Sequence, residues 1–383
     1  MQAQSPSILL LAYYLTRDDP RLSRQVRLLR SAGQEIQITA AGIYGHRLAC
    51  ADSHVIVGAA SPRRRIWLAP FLARWERISA LHRLNERRWD AIIASDPETL
   101  IIAANLAARH NAALIYDAHE FYEDVAGGSD GRTSWVRRVH ERYLPMARHF
   151  FVPSATIAAR YAHLYPGAPP ADVLANAAAH RRSSNCDSRL RSQCGASRSD
   201  RVLVYHGSIG AGRGLNELIS LFERGGPPGW KLALVTSDFG FEMQRRISAC
   251  REITHTSRVP HEELADYLSG ADAGIVPYAL TCFNHDAALP NKLWDFGAAS
   301  LPCFVTPARE MSTIVRVFGS GFVLPADPAE WGAFIASTSS EALAAAGRAA
   351  LRFFSNSQWD EQGRVFASKV LAAAASLSVK TGV

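Results

Sequence analysis

Two stretches in the second half of the chain place glycine, basic and acidic residues at spacings that suit a phosphorylated ligand. In residues 202–218 an apolar strand, Val202 to His206, runs into Gly207, Ser208, Gly210, Gly212, Arg213 and Gly214, and then into a helix. Backbone N–H groups in such a turn, with the positive end of the helix that follows, attract an anion. The Arg213 guanidinium can grip two phosphate oxygens at once. Two familiar templates do not fit. A P-loop needs Lys and Ser/Thr after Gly212, where Arg213 and Gly214 stand, and a dinucleotide fingerprint needs glycine at Leu215. A purely structural left-handed turn is the competing reading.

The second stretch is Leu289-Pro290-Asn291-Lys292-Leu293-Trp294-Asp295. Pro290 suits the first turn of a helix, which leaves the N–H groups of Asn291 and Lys292 for a ligand. Lys292 supplies a point charge to a phosphate. Asp295, three residues on, faces the same side one turn later. A carboxylate there can accept two hydroxyl hydrogen bonds from a ribose, so the pair fits a nucleoside diphosphate. The alternative is a surface lysine–aspartate pair.

In the first half, Tyr116-Asp117-Ala118-His119-Glu120 closes a strand. A lone histidine is usually structural, but the carboxyl ends of strands in an open α/β sheet are where ligands bind, which favours a functional His119. Asp96 and Glu98 end another strand, with helix capping as the leading reading, and Asp18-Asp19 precede Pro20 as a cap. No carboxylate pair of the hydrolase kind is evident. Nor is there an Asp-x-Asp cluster to hold a metal-bound diphosphate, so metal independence is expected.

The elements that must position these residues alternate regularly. Strands are expected at Ile8–Ala12, Ile36–Ala40, Ala91–Ala94, Ala113–Tyr116 and His149–Val152. After a polar stretch at 181–200 they resume at Arg201–His206, Lys231–Thr236, Glu252–His255, Ala273–Val276 and Pro302–Thr306, with helical patterns between. Such alternation implies parallel sheets covered on both faces. A late helix from Trp359 to Ser376 follows the last strand.

The 383 residues suit two domains, and 48% apolar with 20% charged residues excludes wholesale disorder. Six scattered cysteines, without a C-x-x-C pair, argue against structural zinc or a disulfide framework. No apolar run reaches the roughly 18–20 residues of a membrane span, and no signal peptide is evident, so the cytosol is expected. The net charge of +7 is concentrated at 62–89, which carries eight arginines against two glutamates. A general nucleic-acid binder is therefore a poor reading. Trp67, Phe71, Trp75, Ile78 and Leu81 make this stretch amphipathic, a pattern that suits either an anionic membrane surface or an ordinary domain helix.

With these residues in view, the chain resembles the family-4 retaining glycosyltransferases of the GT-B fold. The strand–glycine turn with Arg213, LPNKLWDFGAASLP at 289–302, and Pro307-Ala-Arg-Glu310 carry the likeness, and LPNKLWD is its most specific part. The resemblance implies an α/β fold of two Rossmann-like parallel-sheet domains facing a central cleft. These are an acceptor-side domain at 1–176 with a returning helix at 358–380, a linker at 177–200, and a nucleotide-sugar domain at 201–357. It further implies that Arg213 holds the donor diphosphate, with Gly207, Ser208, Gly212, Asn291 and Lys292 around it, and that Asp295 holds the ribose. Glu310 would lie near the phosphates or sugar, and His119 beside the transferred sugar. Two departures stand out. Ser208 replaces the family's first basic residue, and Ala287 occupies the place of its earlier acid, with Asp286 next to it.

The activity implied is retaining transfer from a nucleotide sugar, without cofactor or metal. The acceptor would be a cell-surface or exopolysaccharide glycan or its lipid-linked precursor, at the inner face of the membrane. A nucleotide-sugar epimerase and a catalytically silent scaffold subunit are the alternatives.

Overall fold

The computed structural model describes residues 5–17, 19–33, 35–57, 78–177 and 187–378. Asp18, residues 62–77 of the basic stretch, 178–186 of the expected linker and 379–380 of the expected returning helix lie outside them. The chain divides into two units, Met1–Asp124 with Gly128–Ala175 and Ser357–Val383, and Val125–Gly127 with Asn176–Asn356.

The first unit is built on seven strands, β1 (Ser7–Leu15), β2 (Gln37–Gly45), β3 (Ser53–Ile56), β4 (Ala91–Ala94), β5 (Ala113–Asp117), β6 (His149–Val152) and β7 (Ala171–Val173), in the order β3-β2-β1-β4-β5-β6-β7. Every pairing is parallel. β1 reads SILLLAYYL because a parallel strand is buried on both faces and takes a near-continuous apolar run. Its core is completed by the Pro20–Ser31 helix and by Phe366, Val370 and Leu371 of the last helix, Gln358–Ser378. Asp19 caps the first of these, accepting from the Leu22 N–H at 2.9 Å, with Pro20 at its start. Asp96 and Thr99 form a capping box on the Pro97–His110 helix, and the Asp96 carboxylate also accepts from the Tyr13 N–H at 2.8 Å and the Tyr122 hydroxyl at 2.9 Å.

The second unit carries six parallel strands, β8 (Arg201–Gly207), β9 (Trp230–Thr236), β10 (Ile253–Thr256), β11 (Ala273–Val276), β12 (Cys303–Val305) and β13 (Gly321–Val323), in the order β10-β9-β8-β11-β12-β13. The chain runs outward from β8 to β10, then returns to the other side of β8 at β11. That reversal makes the carboxyl ends of β8 and β11 the topological switch point, where an open α/β sheet leaves a crevice for ligand. Gly207 ends one of these strands and Pro277-Tyr278 follow the other.

Residues 187–200 depart from the loop expected of a linker. They contain a short helix, Arg189–Gln193, that belongs to the second unit. Leu190 is buried, and Arg191 pairs with Asp272 at 2.7 Å while donating to the Asp200 carbonyl. One apolar residue and one well-placed arginine suffice to dock a segment whose composition otherwise reads as loop.

Of the basic stretch, residues 78–84 are helical and their apolar face is divided: Ala80 and Leu84 are buried while Ile78 is exposed. Arg83 and Arg87 donate to the Ile56 carbonyl and the Ser53 hydroxyl of β3. Among the described residues, no helix is long and apolar enough to cross a membrane.

Candidate active site

The glycine-rich turn after β8 is shaped by what packs against it. Gly214 has φ +69°, and a Cβ there would lie 1.6 Å from the Pro277 carbonyl oxygen, so only glycine allows the turn to pass the end of β11. The Ala279 N–H donates to the Gly212 carbonyl at 2.9 Å and ties the two strand ends together. The Tyr205 hydroxyl donates to the Ser208 carbonyl at 2.7 Å. A Cβ on Gly207 would stand 3.0 Å from Lys292 Nζ, so the bare backbone leaves room for that ammonium.

This closure brings Arg213 and Lys292 onto one ring. The Arg213 guanidinium lies over Tyr278, 4.6 Å from its centroid, and its Nη1 donates to the Tyr278 hydroxyl. Lys292 Nζ lies 5.5 Å from the same centroid and 5.2 Å from that of Tyr205. Lys292 is only 7% exposed. Among the described residues neither cation forms an ion pair with a carboxylate. Buried charge ordinarily acquires a counter-ion, and here aromatic quadrupoles stand in for one.

Asp295, one turn along the Lys292–Ala298 helix, is also buried. Burial pushes its carboxyl up to about 7, against the opposing pull of the Lys292 charge. His206 Nε2 approaches Asp295 Oδ2 at 3.6 Å, outside hydrogen-bond range, and has no hydrogen-bond partner. Burial first, then the Lys292 charge, hold His206 well below the usual imidazole range, so it is neutral. A cavity of about 510 Å³ lies on the turn, lined by Gly210, Arg213, Asn216, Phe239, Met243 and Thr281 among others.

The remaining expected residues are placed as follows. Asn291 precedes the Lys292–Ala298 helix, which starts later than Pro290 would have it, and its side chain makes no capping bond. Glu310 sits in the first turn of the Arg309–Phe318 helix, after β12. Ala287, at the position of the missing acid, is fully buried. Its neighbour Asp286 is committed elsewhere, accepting from the Arg309 N–H at 2.9 Å and pairing with its guanidinium at 3.3 Å.

His119 belongs to the first unit, two residues past β5. Its Nε2 is 3.6 Å from Asp117 Oδ2. Burial disfavours its charge, but the Asp117 carboxylate outweighs burial and the net shift is upward. Asp117 itself is fully buried. Burial opposes its charge, yet Arg21, which donates from Nε at 2.7 Å and again from Nη2, with Gln25 adding a further bond, holds its carboxyl below the usual range. Among the described residues, no three His, Cys, Asp or Glu side chains are grouped as metal ligands.

Tyr278, His206 and the Arg21–Asp117 pair were given no role by sequence reasoning. Tyr278 could have been found from the strand-end rule, since it stands two residues beyond β11.

Residues 19–177 match the glycosyl transferase 4-like domain. No curated protein matches the chain in sequence. HepE from Anabaena, solved with UDP and glucose, superposes with a TM-score of 0.73 at 13% identity, covering 95% of this chain and 99% of that one. Sucrose-phosphate synthase from Thermosynechococcus elongatus gives 0.63 at 15% identity, covering 98% and 97%. WaaG, a glycosyltransferase involved in lipopolysaccharide biosynthesis, gives 0.62 at 14%, covering 98% and 100%. The fold is therefore GT-B. The stretch that matches the glycosyl transferase 4-like domain spans most of the first unit.

Proposed function

We propose that the chain transfers a sugar from a UDP-sugar to a glycan acceptor with retention of anomeric configuration and without a metal ion. One observation carries the reading: Arg213 and Lys292 meet on Tyr278 at the switch point, and among the described residues no carboxylate is paired to either. Two fixed cations stabilise a departing diphosphate without reorganising, the task a metal performs elsewhere. Asp295 accepts the ribose hydroxyls. The anomeric carbon–oxygen bond to the diphosphate breaks, the acceptor oxygen bonds to that carbon on the same face, and the acceptor proton passes to the departing phosphate oxygen. UDP is favoured as the carrier because HepE, alike in fold, is solved with UDP-glucose. His119 serves the transferred sugar and Glu310 the donor.

A lipid-linked or cell-surface glycan is the proposed acceptor, met at the inner face of the membrane through the arginine-rich stretch 62–89. Support for this part comes from the composition of that stretch and from the lipopolysaccharide role of WaaG.

The test is thermal stabilisation by UDP and UDP-glucose in the presence of EDTA, with NMR of the product's anomeric configuration. Stabilisation grows with the logarithm of ligand concentration over Kd. Arg213→Ala should weaken UDP by roughly 10- to 100-fold, the worth of hydrogen bonds to a charged group. If no nucleoside diphosphate stabilises the protein, the reading is wrong. Donor hydrolysis without acceptor would separate an enzyme from a silent scaffold.

A further inference from the structure

Tyr278 is held more firmly than the two cations it serves. It is 2% exposed. Its carbonyl accepts from the Thr306 hydroxyl at 2.8 Å, and its ring packs against His285 with centroids 5.0 Å apart. Arg213 comes to it from the turn after β8, and Lys292 from the helix that begins fourteen residues further on. Left alone, two like charges on flexible stems would separate into solvent. The ring face attracts both, and the hydroxyl fixes which way the guanidinium points. Lys292 is steadied from a second side by Tyr205, whose own hydroxyl is anchored on Ser208.

We infer that Tyr278 is a positioning residue that sets the spacing of Arg213 and Lys292, and thereby makes the site select a diphosphate over a monophosphate. Two cations held at a fixed separation can each engage one phosphoryl group of a pyrophosphate. A single phosphate cannot satisfy both without drawing them off the ring. This rests on the donor reading of the same site. The same arrangement accounts for Ser208: the cation absent from the turn is replaced by Lys292, leaning over Gly207.

The experiment is calorimetric titration of the full chain, in EDTA, with UDP, UMP, inorganic pyrophosphate and orthophosphate. Wild type is compared with Tyr278→Phe, which keeps the ring and removes the hydroxyl, and with Tyr278→Leu, which removes both. In Tyr278→Phe the ratio of UMP to UDP dissociation constants should fall about tenfold, and in Tyr278→Leu further still, the scale of one hydrogen bond from a charged donor and of that bond together with desolvated cation–π contacts. UMP itself should change less than about twofold, because a merely structural role would weaken both nucleotides alike. Pyrophosphate should follow UDP, and orthophosphate should follow UMP. If wild type discriminates between UDP and UMP and both variants keep that ratio, the inference is overturned. If wild type binds neither UDP nor pyrophosphate, the donor reading itself fails. Should Tyr278→Leu not fold, the Tyr278→Phe ratio decides alone.

Discussion

At the strand ends of the first unit, Arg21, Gln25 and His119 all converge on the Asp117 carboxylate. At those of the second, Arg213 and Lys292 converge on an aromatic ring. The two sheets are built alike, parallel and reversed about a central strand, yet one closes its electrostatics internally and the other leaves them open. In the first unit Arg21 and His119 both face the Asp117 carboxylate at the end of β5, and Arg21 also donates to the Leu174 carbonyl. In the second, the buried Asp295 beside Lys292 is drawn toward its neutral form, and among the described residues no carboxylate pairs with either cation. The lesson is that a shared architecture does not mark the ligand site. The end of the sheet whose charges do not balance is the one that does.

The largest effect should come from opening the closed end. Asp117→Ala removes the carboxylate that offsets the buried Arg21 charge, and breaking such an ion pair typically costs about 3–5 kcal/mol. Urea denaturation should show the midpoint falling by a corresponding amount with the slope unchanged. The His119 imidazole should also titrate lower than in wild type, since the carboxylate that raises it is gone. A midpoint within the error of wild type would mean the first unit is not electrostatically closed.

Acid titration should separate the two units by sign. Asp117 is held below the usual range, so its stabilisation is complete above about pH 4 and is lost as pH falls toward its folded value. Asp295 is raised from 3.8 to about 7, so the folded state favours its protonated form. Its contribution is greatest below about pH 4 and is lost as pH rises through 7, on the order of a few kcal/mol in all. His206 opposes this, since it charges only in the unfolded chain and destabilises the fold as pH drops below its ordinary value. The clean measurement is thus the difference in melting temperature between wild type and Asp295→Asn. The variant should gain on wild type from about pH 4 to about pH 7 and level off above. A flat difference would place Asp295 in a solvated setting and remove half of the contrast.

Much of this was legible in the sequence, for a physical reason that differs between parts. The central strands β1, β4, β5, β6, β8 and β11 announce themselves because burial on both faces demands unbroken apolar runs. The peripheral β3, β7 and β13 (SHVI, ADV and GFV) are partly exposed and short, and carry no such pattern. Asp19 and Asp96 were readable as caps because capping is local. Arg213, Lys292 and Asp295 could be singled out as candidates because they lie within two contiguous stretches. Tyr278 offered only its place after a strand: its contacts arise only when β11 is laid beside β8, and a tyrosine there looks like core until the two cations are seen on its ring. Arg21 and Asp117, 96 residues apart, were illegible for the same reason.

The smallest expected effect discriminates best between the two ends. Among the described residues the buried Lys292 has no ion pair, so replacing it with an apolar side chain of similar length removes a desolvated charge and leaves none of their carboxylates stranded at hydrogen-bond range. Lys292→Met should therefore change ligand-free stability by no more than about 1 kcal/mol, and a gain is as acceptable as a loss. The same variant should lose most of the stabilisation that UDP gives wild type, because the second prong of the diphosphate grip is gone. Melting curves with and without UDP test both halves together. A residue that costs little to the fold and much to the ligand is one the protein keeps for binding. If Lys292→Met instead falls by as much as Asp117→Ala, Lys292 is part of the packing, the second unit is as closed as the first, and the contrast between them dissolves.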